Sequence, residues 1–167
     1  MEKRQVYIIG GGASGMLAAL AAASSGSRVT ILERNKKLGK KILATGNGRC
    51  NFTNINAQPE DYNHPSFVKP ALEQFGVDKT IDFFERIGIF PKIEDYGKTY
   101  PLSEQALSIN LLLEKEILHQ SIQVVYDTQV EKIIKSNHQF TIQTKDSTYV
   151  ADRIVIACGG MSLPQSG

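Results

Sequence analysis

The sequence has no tryptophan, only two cysteines and three histidines, and no long apolar run. Each shortage excludes something. Cys50 and Cys158 are far apart and form no C-x-x-C pair, which argues against a zinc site and a dithiol reductase and for a reducing compartment, the cytoplasm. His64, His119 and His138 have no partners at metal-ligand spacing and read as surface residues in a loop, a helix end and a turn. No stretch approaches the ~20 apolar residues of a membrane span, so no membrane partner is expected. The charged amino terminus is followed by an apolar run that Gly10, Gly11 and Gly12 interrupt, unlike a targeting signal. Lysine and arginine number 19 against 17 acids, a net charge of +2. The lysines are scattered, so nucleic acid is not an expected partner. No nucleophile–base pair is visible, and hydrolytic chemistry has no support.

What is present concentrates in the first thirty-odd residues. Gln5-Val6-Tyr7-Ile8-Ile9 reads as a strand, Gly10-Gly11-Gly12-Ala13-Ser14-Gly15 as a turn, and the alanine-rich run after it as a helix that Gly26 ends. Residues 28–32 resume a strand, and Glu33 closes the unit, about twenty positions past the glycines. This is the dinucleotide-binding βαβ pattern. Gly10 allows the tight turn, Gly12 lets a pyrophosphate approach the backbone, and Gly15 lets the helix pack on the sheet. The helix amino terminus favours an anion, and Ser14 can add a hydroxyl donor. A carboxylate at Glu33 accepts from ribose hydroxyls and repels a 2′-phosphate.

Residues 35–54 form a long connection dense in Lys, Asn, Gly and Arg, of the kind that is usually functional. Helices are expected over 66–75, over 78–87 with Asp78 as cap, and from Ser103 to about His119 with Leu107, Leu111, Glu114 and Leu118 along one side. A hairpin is expected around Tyr96-Gly97, with both Tyr96 and Tyr100 used for packing. A strand over 123–126 and an antiparallel meander over 130–135, 140–144 and 149–152 follow. Residues 153–157 read as a strand buried on both faces of a parallel sheet, running into Cys158-Gly159-Gly160, with Cys158 as core. The chain stops inside a glycine-rich loop, which reads as part of a longer protein. The expected class is α/β: a Rossmann-like domain with a parallel sheet, a helical segment and a small antiparallel meander.

A nicotinamide domain would continue past Glu33 in short helix–strand alternation. This chain instead inserts the long loop, helices, a meander and a second strand-to-glycine turn, which suits the larger surface of a flavin. The segment from Val6 to Glu33, the loop containing Ala44-Thr45-Gly46-Asn47-Gly48-Arg49-Cys50-Asn51-Phe52-Thr53-Asn54, and Ile156-Ala157-Cys158-Gly159-Gly160 together resemble the amino-terminal part of the BaiN/YhiN-like, or aminoacetone oxidase-like, flavoproteins of the glutathione-reductase type. The resemblance implies an FAD-dependent oxidoreductase acting on a small molecule, with NAD(P)H as a possible electron donor. It implies a discontinuous FAD domain, with a substrate domain and a returning carboxyl-terminal segment absent here. It places Gly10, Gly12, Ala13, Ser14 and Gly15 at the pyrophosphate and Glu33 at the adenosine ribose. Arg34, Lys41, Gly46, Arg49, Cys50 and Asn51 would line the nucleotide and isoalloxazine side. Val130 would hold adenine through its backbone, and Ala157 to Gly159 would pass the adenosine half. Cys50 reads better as a small filler beside the flavin than as a thiol activated by Arg49. The rival readings are an NAD-dependent dehydrogenase using Glu33 and a flavoprotein that binds FAD without turnover.

Overall fold

Val6, Tyr7, Ile8 and Ile9 are β-branched or aromatic, residues that fit a pleated surface. They form β1 (Gln5–Ile9), the central strand of a parallel sheet in the computed structural model, which describes residues 3–160. α1 (Ala13–Ser24) follows, rich in alanine and leucine, the best helix formers. It ends where Gly26 takes φ +83° and donates to Ala23, a left-handed stop that glycine adopts without strain. β2 (Arg28–Leu32) then pairs parallel to β1, Gln5 opposite Arg28 and Ile9 opposite Leu32. The sheet is completed by β6 (Gln123–Val125) beside β2 and by β10 (Arg153–Ile156) beside β1, in the order β10-β1-β2-β6. The fold is the expected Rossmann arrangement.

The chain divides into two compact units: Met1–Lys41 with Leu113–Gly167, and Ile42–Leu112. The first holds the parallel sheet and the meander of β7 (Val130–Ser136), β8 (Gln139–Thr144) and β9 (Thr148–Ala151). Ile142 and Ala151 of the meander bury themselves with Ile9 and Leu32 of the sheet. The Tyr7 and Tyr149 rings meet there at 5.4 Å, and burial pushes the Tyr7 hydroxyl above its ordinary value. Burial of an isoleucine or leucine side chain contributes about 1.5–3 kcal/mol, so Ile9, Leu32 and Ile142 fix the meander on the strand ends.

The second unit holds a three-stranded antiparallel sheet. Its strands are β3 (Thr53–Asn54), β4 (Pro91–Ile93) and β5 (Lys98–Pro101), in the order β3-β5-β4. Two helices, α2 (Pro65–Gln74) and α3 (Val77–Arg86), lie between β3 and β4 in sequence. Phe84 of α3 is buried against the Phe52 ring at 4.7 Å and the Phe83 ring at 5.4 Å. α4 (Ala106–His119) spans the division between the units.

Several expectations change. α3 begins at Val77 with Gly76 in the cap position, so Asp78 sits inside the first turn. α4 begins at Ala106, and the Ser103 hydroxyl accepts from Gln105 N–H at 3.4 Å, one residue before the helix. Its buried face is Ala106, Ile109, Asn110, Leu113 and Ile117, whereas Leu107, Leu111 and Leu118 are exposed. The leucine period was right for a helix but selected the wrong face, because both faces carry leucines or isoleucines. Among the described residues β10 pairs with β1 alone and so lies at the edge of the sheet, and Val155 and Ile156 are exposed. Cys158, just past it, is exposed rather than core, and Tyr96 projects from the hairpin at 84 % exposure. The glycine-rich stretch beyond Gly160 lies outside the described residues.

Candidate functional site

The chain reverses at the carboxyl end of β1. Gly10 takes φ +102° there, and a Cβ on it would stand 2.6 Å from the Ala157 carbonyl oxygen. No other residue fits, on both counts. A Cβ on Gly15 would overlap the Gly10 carbonyl oxygen, so α1 approaches β1 only because that position is glycine. Gly12 differs: nothing lies within 4 Å of where its Cβ would be. The first helical bond runs from Met16 N–H to the Gly12 carbonyl at 2.9 Å. The N–H groups of Ala13, Ser14 and Gly15 precede it and have no acceptor inside the helix. Ala13 and Ser14 are exposed. Open space, unpaired helical donors and the positive end of a helix dipole suit an anion such as a pyrophosphate.

Glu33 lies at the carboxyl end of β2 and is 6 % exposed. Its Oε2 accepts from Gly11 N–H at 2.6 Å. Its Oε1 accepts from Asn35 N–H at 2.7 Å and from Asn35 Nδ2 at 2.5 Å. A buried carboxylate needs such donors, and three N–H groups supply them. Its backbone is tied as well: Glu33 N–H donates to Val125, and Thr128 N–H donates to the Glu33 carbonyl. Those bonds bring the start of β7, with half-buried Val130, two residues beyond Thr128. The Tyr126 hydroxyl is pushed above its ordinary value by burial first, then by the Glu114 and Glu33 carboxylates.

The second glycine turn returns to the first. Ala157 N–H donates to the Ile9 carbonyl at 2.8 Å. Gly159 takes φ +89°, and a Cβ on it would stand 2.5 Å from Lys41 Nζ. Gly10, Gly12, Ala13, Ser14, Gly15, Glu33, Lys41, Ala157 and Gly159 thus gather at the carboxyl ends of β1, β2 and β10. Strand order reverses at β1, and in open α/β sheets ligands bind in the crevice at that switch point. Arg34 is exposed beside Glu33.

Gly46, Arg49, Cys50 and Asn51 belong to the other unit. Residues 42–48 are two short 3-10 turns broken by a kink, with Gly46 and Asn47 both at φ +54° and Cys50 at φ +59°. The Arg49 guanidinium bonds Glu94 Oε1 at 2.5 Å, lies 3.5 Å from Glu104, and stacks 4.1 Å over the Tyr100 ring. Lys92 pairs with both Glu94 and Glu104. The bond to Arg49 holds the Glu94 carboxyl below its ordinary value. Arg49 Nε is buried without a partner. Burial pushes the Cys50 thiol above its ordinary value, against a smaller opposing pull from Thr45. The Asn51 amide nitrogen, oriented to satisfy its surroundings, donates to the Thr53 and Thr99 carbonyls at 2.6 and 3.1 Å.

Sequence reasoning passed over Gly11, Asn35 and Leu38. A Cβ on Gly11 would overlap Leu38 Cδ2, and Gly39 N–H donates to the Gly11 carbonyl. An Asn two places after a strand-end acid was the available signal, because short amides bond the neighbouring backbone. It also passed over Glu94 and Glu104, whose link to Arg49 is far in sequence. Among the described residues, no group of three His, Cys, Asp or Glu side chains is placed to hold a metal ion, and no helix is long and apolar enough to cross a membrane.

Solved structures share this fold at low identity. The chain aligns over 94 % of its length with 58 % of THI4 from Thermovibrio ammonificans, with TM-score 0.62 and 16 % identity. It aligns over 95 % of its length with 39 % of the bacillithiol disulfide reductase of Staphylococcus aureus, with TM-score 0.54 and 18 % identity. Among curated proteins, it is 42 % identical to a 3-dehydro-bile acid delta(4,6)-reductase of Clostridium scindens, over 98 % of this chain and 41 % of that protein. It is 34 % identical to a ribosomal RNA dihydrouridine synthase of Escherichia coli, over 100 % of this chain and 42 % of that protein. The chain therefore spans about two fifths of the length of the curated relatives it matches. The family described as the HI0933-like protein Rossmann domain matches residues 4–167, and the chain belongs to that family.

Proposed function

We propose that the protein is a cytoplasmic FAD-dependent oxidoreductase that reduces a carbon–carbon double bond conjugated to a carbonyl group. The observation that carries the reading is the meeting of two glycine turns, Gly10–Gly15 and Ala157–Gly159, around one helix amino terminus, with a buried acid on one side and Lys41 on the other. Gly12, Ala13, Ser14 and Gly15 would hold the pyrophosphate and Glu33 the adenosine ribose. Lys41 would offset phosphate charge, and Val130 would hold adenine through its backbone. In the second unit, Gly46, Arg49, Cys50 and Asn51 would serve the isoalloxazine side. When bound, FAD would supply hydride transfer from NADH or NADPH to one carbon of the double bond, with a proton from water completing the other carbon. Within the protein, the chain's part is to bind and orient.

The double-bond substrate class is supported by the names of the two relatives. One is a delta(4,6)-reductase, and the other makes dihydrouridine, which differs from uridine by two hydrogens across a double bond conjugated to a carbonyl. The test is the visible spectrum of the full-length protein, with its released cofactor identified, followed by anaerobic reduction with NADH or NADPH and reoxidation by cyclohex-2-enone or uridine. FAD release and reoxidation by either probe is the expected result. Bound FAD that no nicotinamide reduces would favour a binder without turnover. A colourless protein that ignores FAD but binds NAD would favour the nicotinamide dehydrogenase, since Glu33 also suits the NAD ribose.

A further inference from the structure

Glu33 offers a ligand less than a carboxylate usually can. A carboxylate has about four acceptor positions, two on each oxygen. Here Oε1 is filled by two Asn35 donors, the backbone N–H at 2.7 Å and the side-chain Nδ2 at 2.5 Å. Oε2 takes one bond, from Gly11 N–H at 2.6 Å, and keeps one position open. Gly11 belongs to the first glycine turn, so the open position sits at that turn. Asn35 is itself held, because its carbonyl accepts from Asp127 N–H at 3.3 Å.

We infer that Asn35 is a positioning residue that fixes the Glu33 carboxylate so that a single oxygen, Oε2, accepts a ribose hydroxyl of the bound dinucleotide. The inference rests on the dinucleotide reading above. Asn35 acts through Glu33 and touches no ligand. Its side chain takes the last acceptor position on Oε1, which leaves Oε2 alone for a ligand, and adds a third restraint to a torsion that the Asn35 and Gly11 backbone N–H groups also hold. A fixed acceptor distinguishes a hydroxyl from its absence far better than a rotating one, because the bond costs no ordering on binding.

The test measures binding of ADP and of 2′-deoxy-ADP and 3′-deoxy-ADP to the flavin-free full-length protein by calorimetry. Wild-type protein should bind ADP about tenfold or more tighter than at least one deoxy analogue, the loss expected for a hydrogen bond to a charged group. In Asn35→Ala the backbone N–H still holds Oε1, so the fold should persist. ADP should then bind several-fold more weakly, toward the affinity of that deoxy analogue, with the affinity of the analogue unchanged. A role confined to folding would weaken all three ligands together and would overturn the inference. Asn35→Asp, of the same size but without the donor, should lose the discrimination too. Retained discrimination in either variant overturns the inference, as does loss of the folded circular dichroism spectrum in both. Wild-type protein that binds neither ADP nor FAD would sink the dinucleotide reading itself.

Discussion

At the scale of single residues, glycines in one turn do different work, and substitution separates them. Gly15→Ala drives a methyl into the Gly10 carbonyl, a backbone atom that cannot move aside. It should cost about 3 kcal/mol or more in urea unfolding. Gly11→Ala instead meets the end of the Leu38 side chain. Its cost should be about 1–3 kcal/mol. The double variant Gly11→Ala, Leu38→Ala should be more stable than the sum of the two singles by about 1 kcal/mol or more. Strict additivity would show that Leu38 is not what the methyl meets. The cysteines also separate. Cys50 is buried with its thiol pushed above 9.0, while Cys158 is exposed. Iodoacetamide at pH 7.5, followed by peptide mass spectrometry, should label Cys158 at least tenfold faster, since the reactive thiolate at position 50 is both scarce and covered.

At the scale of elements, the loop between β2 and β3 depends on partners brought by the β4–β5 hairpin. Glu94 and Tyr100 grip Arg49, and Thr99 engages Asn51. Because the Arg49 bond lowers the Glu94 carboxyl below its ordinary 4.5, its stabilising effect is present above that value. The effect is lost as pH falls through the lowered value. Glu94→Gln should therefore lower the melting temperature at pH 7 and lose less of it than wild type does between pH 5 and pH 3. Equal acid sensitivity in both proteins would remove Glu94 from this account. The same loop shows what sequence could and could not disclose. The βαβ unit was legible because its strand, glycine turn, helix, second strand and closing Glu33 follow one another over short spacings. The hairpin and the meander were legible from alternation and turn residues. The Arg49 clamp was not, because it joins positions 45 and 55 residues apart, and no local pattern encodes such a pairing. Nor was the exposed side of α4, where helical period fixed the element but not the direction it faces. β10 has the apolar run of an interior strand, and only the strand order shows it at an edge.

At the scale of the molecule, the crevice draws on both ends of the described chain. Gly10 and Ala157 touch, and the bond between Gln5 N–H and the Asp152 carboxylate spans 147 positions. β10 leads directly into Ala157, without which the turn at Gly10 has no wall. Truncation before residue 153 should therefore abolish the FAD binding proposed above and leave the β1 amides exchanging rapidly with solvent, as hydrogen–deuterium exchange would report. Protected β1 amides in the truncated chain would show that β2 alone secures the strand.

That long closure has a consequence for the order of events during synthesis. The entropy of joining chain ends grows with the logarithm of the intervening length and must be met before the contact gives anything back. Strands paired over such separations form late, and parallel ones are slow. The glycine turn leaves the ribosome more than a hundred residues ahead of its second wall. Until β10 docks, the open edge of β1 is exposed to wrong strands. The contact that walls the glycine turn is therefore a late event in the synthesis of this chain, and a ligand that needs both walls, the proposed nucleotide included, has to wait for β10.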